Sequence, residues 1–511
     1  MKKILSNSIV VSIFLFLSKI LGFIRDLLLA SFFGSSSVLQ AFLIAFRLPE
    51  FMRKVTTSGV LTQVLNPHLE SNISDEQKSF IATVLYFVAV VFLTITVLAI
   101  YFSSFWVDLY AYGLDETKLL GLVKTLFVLM IPYVLFNFIV GLISAVLNSY
   151  SHYIVSSLLP LILNVVMIVG ILLSPYISIP IVAVAYSVLI AGVLQFVIAL
   201  KALYSLAGRI ELTKSVMSLK NSRARGFLKE LPLSFLGSAM FQINSLIETF
   251  FASFLISGSL AWLYYADRIN QFLYGIFGTA IAMVMIPHLI EVFGDKKKFY
   301  NSLTWIIKVV LVVTVPAIIG LFVLSKPIVI TLFYYGKFSF VDVTNTRIAI
   351  LGYLVSLFCI VIARVVISAL YAQNRSRSVY VVAMFSIICN ITFDSLIVYN
   401  YATCDYAFAY IAISTSIISL FNLLVLFIVL AEYNRSLFFR LYCSGKWLLK
   451  IVLASLVMIA VLNMFNLSDD YWLSLAMFGR LKHILLIISS GLISYMVMMW
   501  LLGAKKEIFH N

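Results

Sequence analysis

Of the 511 residues, 63% are hydrophobic and only 11% charged, and the mean hydropathy is +1.09. A soluble chain is excluded, because apolar stretches of about 20 residues recur and each is long enough to cross a membrane as a helix. Alternating segments of about ten residues are absent, which excludes an outer-membrane barrel; basic loops beside membrane spans account for most of the formal charge of +15, so nucleic acid need not be invoked.

The N-terminus, MKKILSNSIVVSIFLFL, has the basic start and apolar run of a signal peptide. No small-residue cleavage motif follows and SKILGFIRD continues the segment, so it reads as a retained first span. Apolar segments then fall at 7–34, 37–66, 79–106, 119–148, 153–174, 180–206, 225–257, 260–290, 300–325, 342–371, 377–400, 405–432, 440–465 and 478–503. The expected fold is therefore an all-α polytopic membrane protein of about fourteen transmembrane helices. Pro49, Pro132, Pro232 and Pro316 lie inside spans and predict bends. Cys359, Cys389, Cys404 and Cys443 stand singly in apolar surroundings and read as small hydrophobes, forming neither a disulfide framework nor a metal site.

Loop charge sets the orientation. With the N-terminus inside, the cytoplasmic connections hold Lys2 and Lys3, the 201–230 segment, Lys296 to Lys298, Arg375 and Arg377, Arg435 to Lys450, and Lys505 with Lys506. The outer turns carry Asp108, Asp115, Glu116, Asp342, Asp405, Asp469 and Asp470. Both termini are expected to be cytoplasmic.

An internal repeat follows from two pairs of stretches. AFRLPEF around Arg47 is followed about 20 residues later by PHLE, and ADRINQF around Arg268 by PHLIE, at an offset near 221 residues. Parallel six-helix repeats are a transporter architecture with the substrate site between the halves; chance similarity between apolar helices is the other reading. The expected organisation is an N-terminal lobe at 1–206, a basic linker at 207–224, a C-terminal lobe at 225–432, and two further helices within 433–511.

The second segment is the least hydrophobic, and the stretch from Ser18 to Ser58 concentrates Lys19, Arg25, Asp26, Arg47, Glu50, Arg53 and Lys54. A charge at the bilayer centre costs roughly 2.5–3.5 kcal/mol on insertion scales, so such residues face protein or water. For Lys54 an interfacial anchor fits equally well. Lys124, Asp267 and Arg268 extend the set. A net positive group rich in arginine suits a diphosphate or similar anionic headgroup, with Asp26, Glu50 and Asp267 pairing with the arginines. That pairing could also be purely structural. In the second half, Asn390 and Asp394 share a helix face. With Glu248 and Thr415 they offer oxygens suited to a monovalent cation or a proton, while Arg347 and Arg364 could instead neutralise the acids. No acid cluster, HExxH, GxSxG or Walker loop appears, and the histidines are scattered.

Five blocks carry a resemblance: SKILGFIRD (Ser18–Asp26), AFRLPEFMRK (Ala45–Lys54), GSLAWLYYADRINQF (Gly258–Phe272), LFYYGKF (Leu332–Phe338) and ALYAQNRSRS (Ala369–Ser378). Through them the chain resembles, nearly end to end, the MurJ (MviN) lipid II flippase family of the MOP transporter superfamily. The resemblance implies two six-helix lobes around a cation-lined cavity, a groove for the undecaprenyl tail made by the last two helices, and alternating access in the bacterial inner membrane. It places functional arginines at Arg25, Arg53 and Arg268, a first basic residue at Lys19, and a sodium site at Glu248, Asn390, Asp394 and Thr415. Lipid II, other membrane lipids and the cell-wall synthesis machinery are the implied partners. No cofactor is expected, and coupling to sodium or to the membrane potential both stay open.

Gln40, Glu50, Ser58, Lys19, Ala261 and Val379 depart from the family's usual residues, and Lys19 loses the fork geometry of arginine. The expectation is a divergent flippase and not an enzyme. The alternatives are an exporter of another polyprenyl-diphosphate oligosaccharide of the O-antigen type and, in another class, a membrane glycolipid transferase.

Overall fold

Helices begin where short polar residues interrupt the apolar runs. In the computed structural model, which describes residues 2–70, 72–114, 117–208, 221–373, 375–431, 445–465 and 467–504 (backbone alone at 2–9, 117, 241, 276–288, 290, 296, 431 and 446), such residues cap several of the helices that follow. Ser36, Ser74, Asn221 and Asp295 accept hydrogen bonds from the first free N–H groups, and Ser339 forms a reciprocal capping box with Asp342. No β-strand occurs among the described residues.

The chain divides into two compact units, 1–261 and 262–511. In the first, the helices are α1 (Lys2–Phe33), α2 (Ser37–Thr56), α3 (Val60–Leu65), α4 (Asp75–Tyr101), α5 (Ser103–Tyr110), α6 (Thr117–Met130), α7 (Pro132–Ser149), α8 (Tyr153–Leu173), α9 (Pro180–Ala207) and α10 (Ser222–Ala252). Helix α11 (Ser259–Glu291) begins at its end. The second unit continues with α12 (Lys296–Phe333), α13 (Phe340–Ala372), α14 (Ser376–Tyr401), α15 (Ala407–Ala431), α16 (Gly445–Met464), α17 (Asp469–Ser474) and α18 (Met477–Leu501).

Where they are described, the fourteen apolar segments are mostly helical, and ten stretches among the described residues are long and apolar enough to cross a membrane. The other four correspond to α1, α2 with α3, α10 and α11, the helices in which the candidate charges of the first segments, Glu248, Asp267 and Arg268 lie. Outward faces such as Val90, Val91, Leu93, Val97 and Leu98 on α4 are exposed, as expected of side chains that meet lipid. Pro132 separates α6 from α7, whereas Pro49, Pro232 and Pro316 sit inside unbroken helices.

In the first unit, α1 packs on α8, α8 on α9, α7 on α9, α2 on α6, and α10 along α2, α3 and α4. In the second, α13 lies against α15 and α12, and α16 and α18 form a pair beside α12. The α13–α15 approach is close: a Cβ at Gly352 would stand 2.7 Å from the Cβ of Ala412. Ser416 joins the same seam, donating to the Gly352 carbonyl at 2.6 Å and accepting from the Ser356 N–H at 3.0 Å. Small residues and shared hydroxyls are how helices associate where water supplies no hydrophobic drive.

The two similar stretches, the first copy around Arg47 and the second around Arg268, differ in backbone. After Arg53 the first copy breaks: Thr56 and Thr57 turn their hydroxyls onto the Arg53 carbonyl at 2.9 and 2.8 Å, and Gly59 adopts φ +88°, a conformation glycine takes without penalty. The second copy runs through α11 as one helix. Most of the basic linker (209–220), Asp115, Glu116, the 432–444 segment with Arg435 and Cys443, and 505–511 lie outside the described residues.

Candidate functional site

Arg25 and Asp26 are buried, 5% and 2% exposed. Arg25 donates to Asp26 Oδ1 from Nε at 3.0 Å and from Nη2 at 2.8 Å, and its Nη1 reaches Asn164 Oδ1 of α8 at 3.1 Å. The Asn164 amide in turn donates to the Ser18 carbonyl at 2.9 Å. Three polar residues thus zip α1 to α8, and the charge at membrane depth is met by protein as the insertion cost demands. Lys19 lies exposed on the same helix.

On α2, Arg47 spans to α10. Its Nε and Nη2 both donate to the Ser245 carbonyl, at 2.9 and 2.7 Å, while Nη1 reaches Glu50 Oε2 at 3.3 Å. Glu50 also faces Lys54, with Oε1 3.7 Å from Nζ. Glu50 therefore pairs with Arg47 and Lys54. Arg53 is half-buried and its buried Nε has no acceptor among the described residues. Lys124 donates to Ser104 Oγ at 2.6 Å on an exposed face.

In the second unit Gln271 joins the two charges of the ADR motif. It donates to Asp267 Oδ2 at 2.5 Å and accepts from Arg268 Nη1 at 3.2 Å, and the Arg268 guanidinium lies 4.4 Å from the Tyr264 ring centroid. Nearby on α11, Trp262 donates to Asp342 Oδ1 at 2.8 Å, which ties the motif to the start of α13.

The oxygen cluster divides between the units. Glu248 is half-buried on α10. Asp394 on α14 is fully buried and accepts from Ser414 Oγ at 2.6 Å; its Oδ2 and the buried Asn390 Oδ1, one turn earlier, have no donor among the described residues. Two orphaned acceptors at membrane depth fit a cation or a proton, since an unmet buried acceptor carries a desolvation cost. The hydroxyl that meets Asp394 belongs to Ser414; Thr415 turns its own onto the Ile411 carbonyl at 3.1 Å. Arg364 lies 4.8 Å from the Tyr274 ring centroid, and the buried Arg347 Nε has no acceptor among the described residues. No group of three or more His, Cys, Asp or Glu side chains able to hold a metal occurs among the described residues.

Sequence reasoning missed Asn164, Gln271, Ser414 and the Ser245 carbonyl. Gln271 was legible, being three and four residues from Arg268 and Asp267. Asn164 was visible as an amide in an apolar span, but nothing local names its partner. A main-chain carbonyl leaves no sequence signal at all.

A helical bundle of this composition, with charges paired inside it, defines a polytopic membrane protein. The chain belongs to the family described as "Lipid II flippase MurJ", which it matches over residues 29–483. It is similar to the "Probable lipid II flippase MurJ" of Buchnera aphidicola subsp. Acyrthosiphon pisum (strain APS), 31% identical over 467 residues, covering 90% of this chain and 89% of that one. Among solved structures it resembles "Lipid II flippase MurJ, inward closed conformation", with TM-score 0.80 and 26% identity over 96% of this chain and 98% of that one. An inward-facing multidrug resistance MATE transporter of the MOP superfamily shares the fold, with TM-score 0.66 and 16% identity over 82% of this chain and 96% of that one.

Proposed function

We propose that this protein is a lipid II flippase that carries the undecaprenyl-diphosphate-linked peptidoglycan precursor from the cytoplasmic to the periplasmic leaflet by alternating access. Membership of the flippase family over residues 29–483 carries this reading. The protein is a multi-pass membrane protein of a bacterium; its placement in the inner membrane with both termini cytoplasmic follows from the basic loops. Transport requires no bond to be made or broken by the protein, in keeping with a role other than catalysis.

Within this reading, Lys19, Arg25, Arg53 and Arg268 hold the diphosphate, and Arg47 belongs to the same cationic set. Asp26, Glu50 and Asp267 hold the cations when substrate is absent. Arg25 is already met by Asp26 and Asn164, so a phosphate reaches it by exchange, replacing one anionic partner with another. Arg53, whose Nε–H has no acceptor among the described residues, needs no such exchange. Coupling to sodium would use Asp394 and Asn390, whose oxygens without a donor among the described residues suit a hard cation, with Glu248 as a further ligand; Thr415, the fourth residue of the expected set, would have to leave the Ile411 carbonyl to join it.

The test is depletion of the protein in its native bacterium, scoring lipid II in the outer leaflet. Lipid II should accumulate on the inner side, and wild type should rescue export where Arg268→Ala does not. Normal lipid II export with a different glycolipid trapped inside would replace lipid II as the cargo.

A further inference from the structure

Helices α12 and α16 run parallel and in register. Lys308 Nζ stands 5.8 Å from the centroid of the Trp447 ring. Twelve residues further along α12, a Cβ at Gly320 would lie 3.3 Å from the terminal carbon of Met458, eleven residues beyond Trp447. At 1.5 Å per residue these intervals are about 18 and 16.5 Å. The contact at Lys308 therefore fixes the level of the first turn of α16.

That level is a membrane surface. From Lys308 to Lys326, α12 reads VVLVVTVPAIIGLFVLS between the lysines, without a charge. This rise of about 27 Å nearly matches the hydrocarbon thickness of about 30 Å. Lys326 pairs with Asp469 of α17 at the far end. Trp447 is the first residue of the apolar span in α16, where tryptophan is favoured at the interface.

The chemistry there is unfinished. Trp447 is 1% exposed, and its indole N–H has no acceptor among the described residues. Lys308 is half-buried, and no carboxylate among the described residues pairs with it. Lys450, also half-buried, follows one turn after Trp447 on the same side of α16. Leu448, Leu449, Val452 and Leu456 are exposed beside them, an apolar strip along which acyl chains can lie.

We propose that Lys308, Trp447 and Lys450 bind the phosphate of a membrane lipid at the α12–α16 junction. Two ammonium groups supply charge and the indole N–H supplies a directed donor, the combination by which basic pockets between membrane helices hold anionic headgroups. Lys308 covers the indole and is the side chain that turns to admit the phosphate. The occupant is a resident anionic phospholipid; a polyprenyl diphosphate presents the same chemistry and is separated from it by competition. This site is independent of the cationic set assigned to transport.

The experiment uses the full chain in nanodiscs of phosphatidylglycerol and phosphatidylcholine, with the retained lipid counted by native mass spectrometry after detergent extraction. Wild type should retain phosphatidylglycerol selectively. Lys308→Gln should lower retention about fivefold, taking the usual contribution of one interfacial lysine, and Lys308→Arg should restore it. Trp447→Phe, which keeps a ring and removes the donor, should also lower it. Added undecaprenyl diphosphate that displaces phosphatidylglycerol from wild type but binds Lys308→Gln weakly would make the polyprenyl lipid the occupant of the same phosphate site. Equal retention by wild type, Lys308→Gln and Trp447→Phe overturns the proposal. So does a wild type that retains neither lipid over phosphatidylcholine. A thermal midpoint for each variant separates lost binding from lost folding.

Discussion

The guanidinium of Arg47 grips the main-chain carbonyl of Ser245 with two hydrogen bonds, at 2.9 and 2.7 Å, across 198 residues of sequence. Thr249 Oγ1 donates to the same oxygen at 2.9 Å, and Glu50 balances the charge from the other side. The contact is a helix-to-helix tie between α2 and α10 built on a backbone atom that no mutation can remove.

Arg47→Leu should accordingly destabilise the protein by about 3 kcal/mol, the low end of what breaking a buried ion pair costs, because Lys54 remains to partner Glu50. Arg47→Lys should recover only part of it, since one ammonium cannot reproduce the fork. Thermal unfolding in detergent measures both. If Arg47→Glu unfolds and transports as wild type does, the tie contributes nothing to either.

Asn164 offers a sharper separation of roles on the α1–α8 seam. Asn164→Leu removes the acceptor of Arg25 Nη1 and the donor to the Ser18 carbonyl, and should cost about 1–3 kcal/mol of stability. A variant that lost transport at unchanged stability would mean that Arg25 serves substrate alone and that its contact with α8 is incidental.

The buried carboxylate of α14 predicts a difference between two adjacent hydroxyls. Ser414→Ala removes the 2.6 Å hydrogen bond to Asp394, whereas Thr415→Ala removes a bond within its own helix. If sodium binds at Asp394 and Asn390, sodium at ten times its Kd should stabilise wild type by about 1.4 kcal/mol. That gain should vanish in Asp394→Asn and Asn390→Ala. Sodium titration of the unfolding midpoint, against potassium as control, reads it; equal stabilisation of Asp394→Asn places the ion elsewhere.

Outside the membrane spans, Arg223 hydrogen-bonds Glu70 and holds its carboxyl below the ordinary carboxylate value. Because the folded-state pKa is depressed, the pair's contribution is complete above the unfolded carboxyl's pKa and is lost as pH falls through the folded one. Both side chains are more than a third exposed, so the effect is small and salt-sensitive. The difference in unfolding midpoint between wild type and Glu70→Gln should be constant near neutral pH and shrink on acidification. A difference that grew on acidification would contradict the pairing.

Much of this protein was legible in the chain as written. Helix positions were, because an apolar run of about 20 residues is a local property and lipid leaves the backbone few other ways to satisfy its hydrogen bonds. So were the charged stretch from Ser18 to Ser58 and the pairing of Arg25 with Asp26, which are neighbours in sequence. The motifs LGFIRD and YYADR were the strongest pointers to the family. What only the tertiary structure decided is which residue each polar group meets. Asn164 finds Arg25 from 139 residues away, Arg47 meets a carbonyl, and Trp447 comes under Lys308. On α15 a rotation of about 100° per residue turns Ser414 toward Asp394 and Thr415 away from it. Composition and spacing set where a helix runs, but the partner across a seam depends on how two helices are rotated and shifted against each other, and that is set by packing along their whole length.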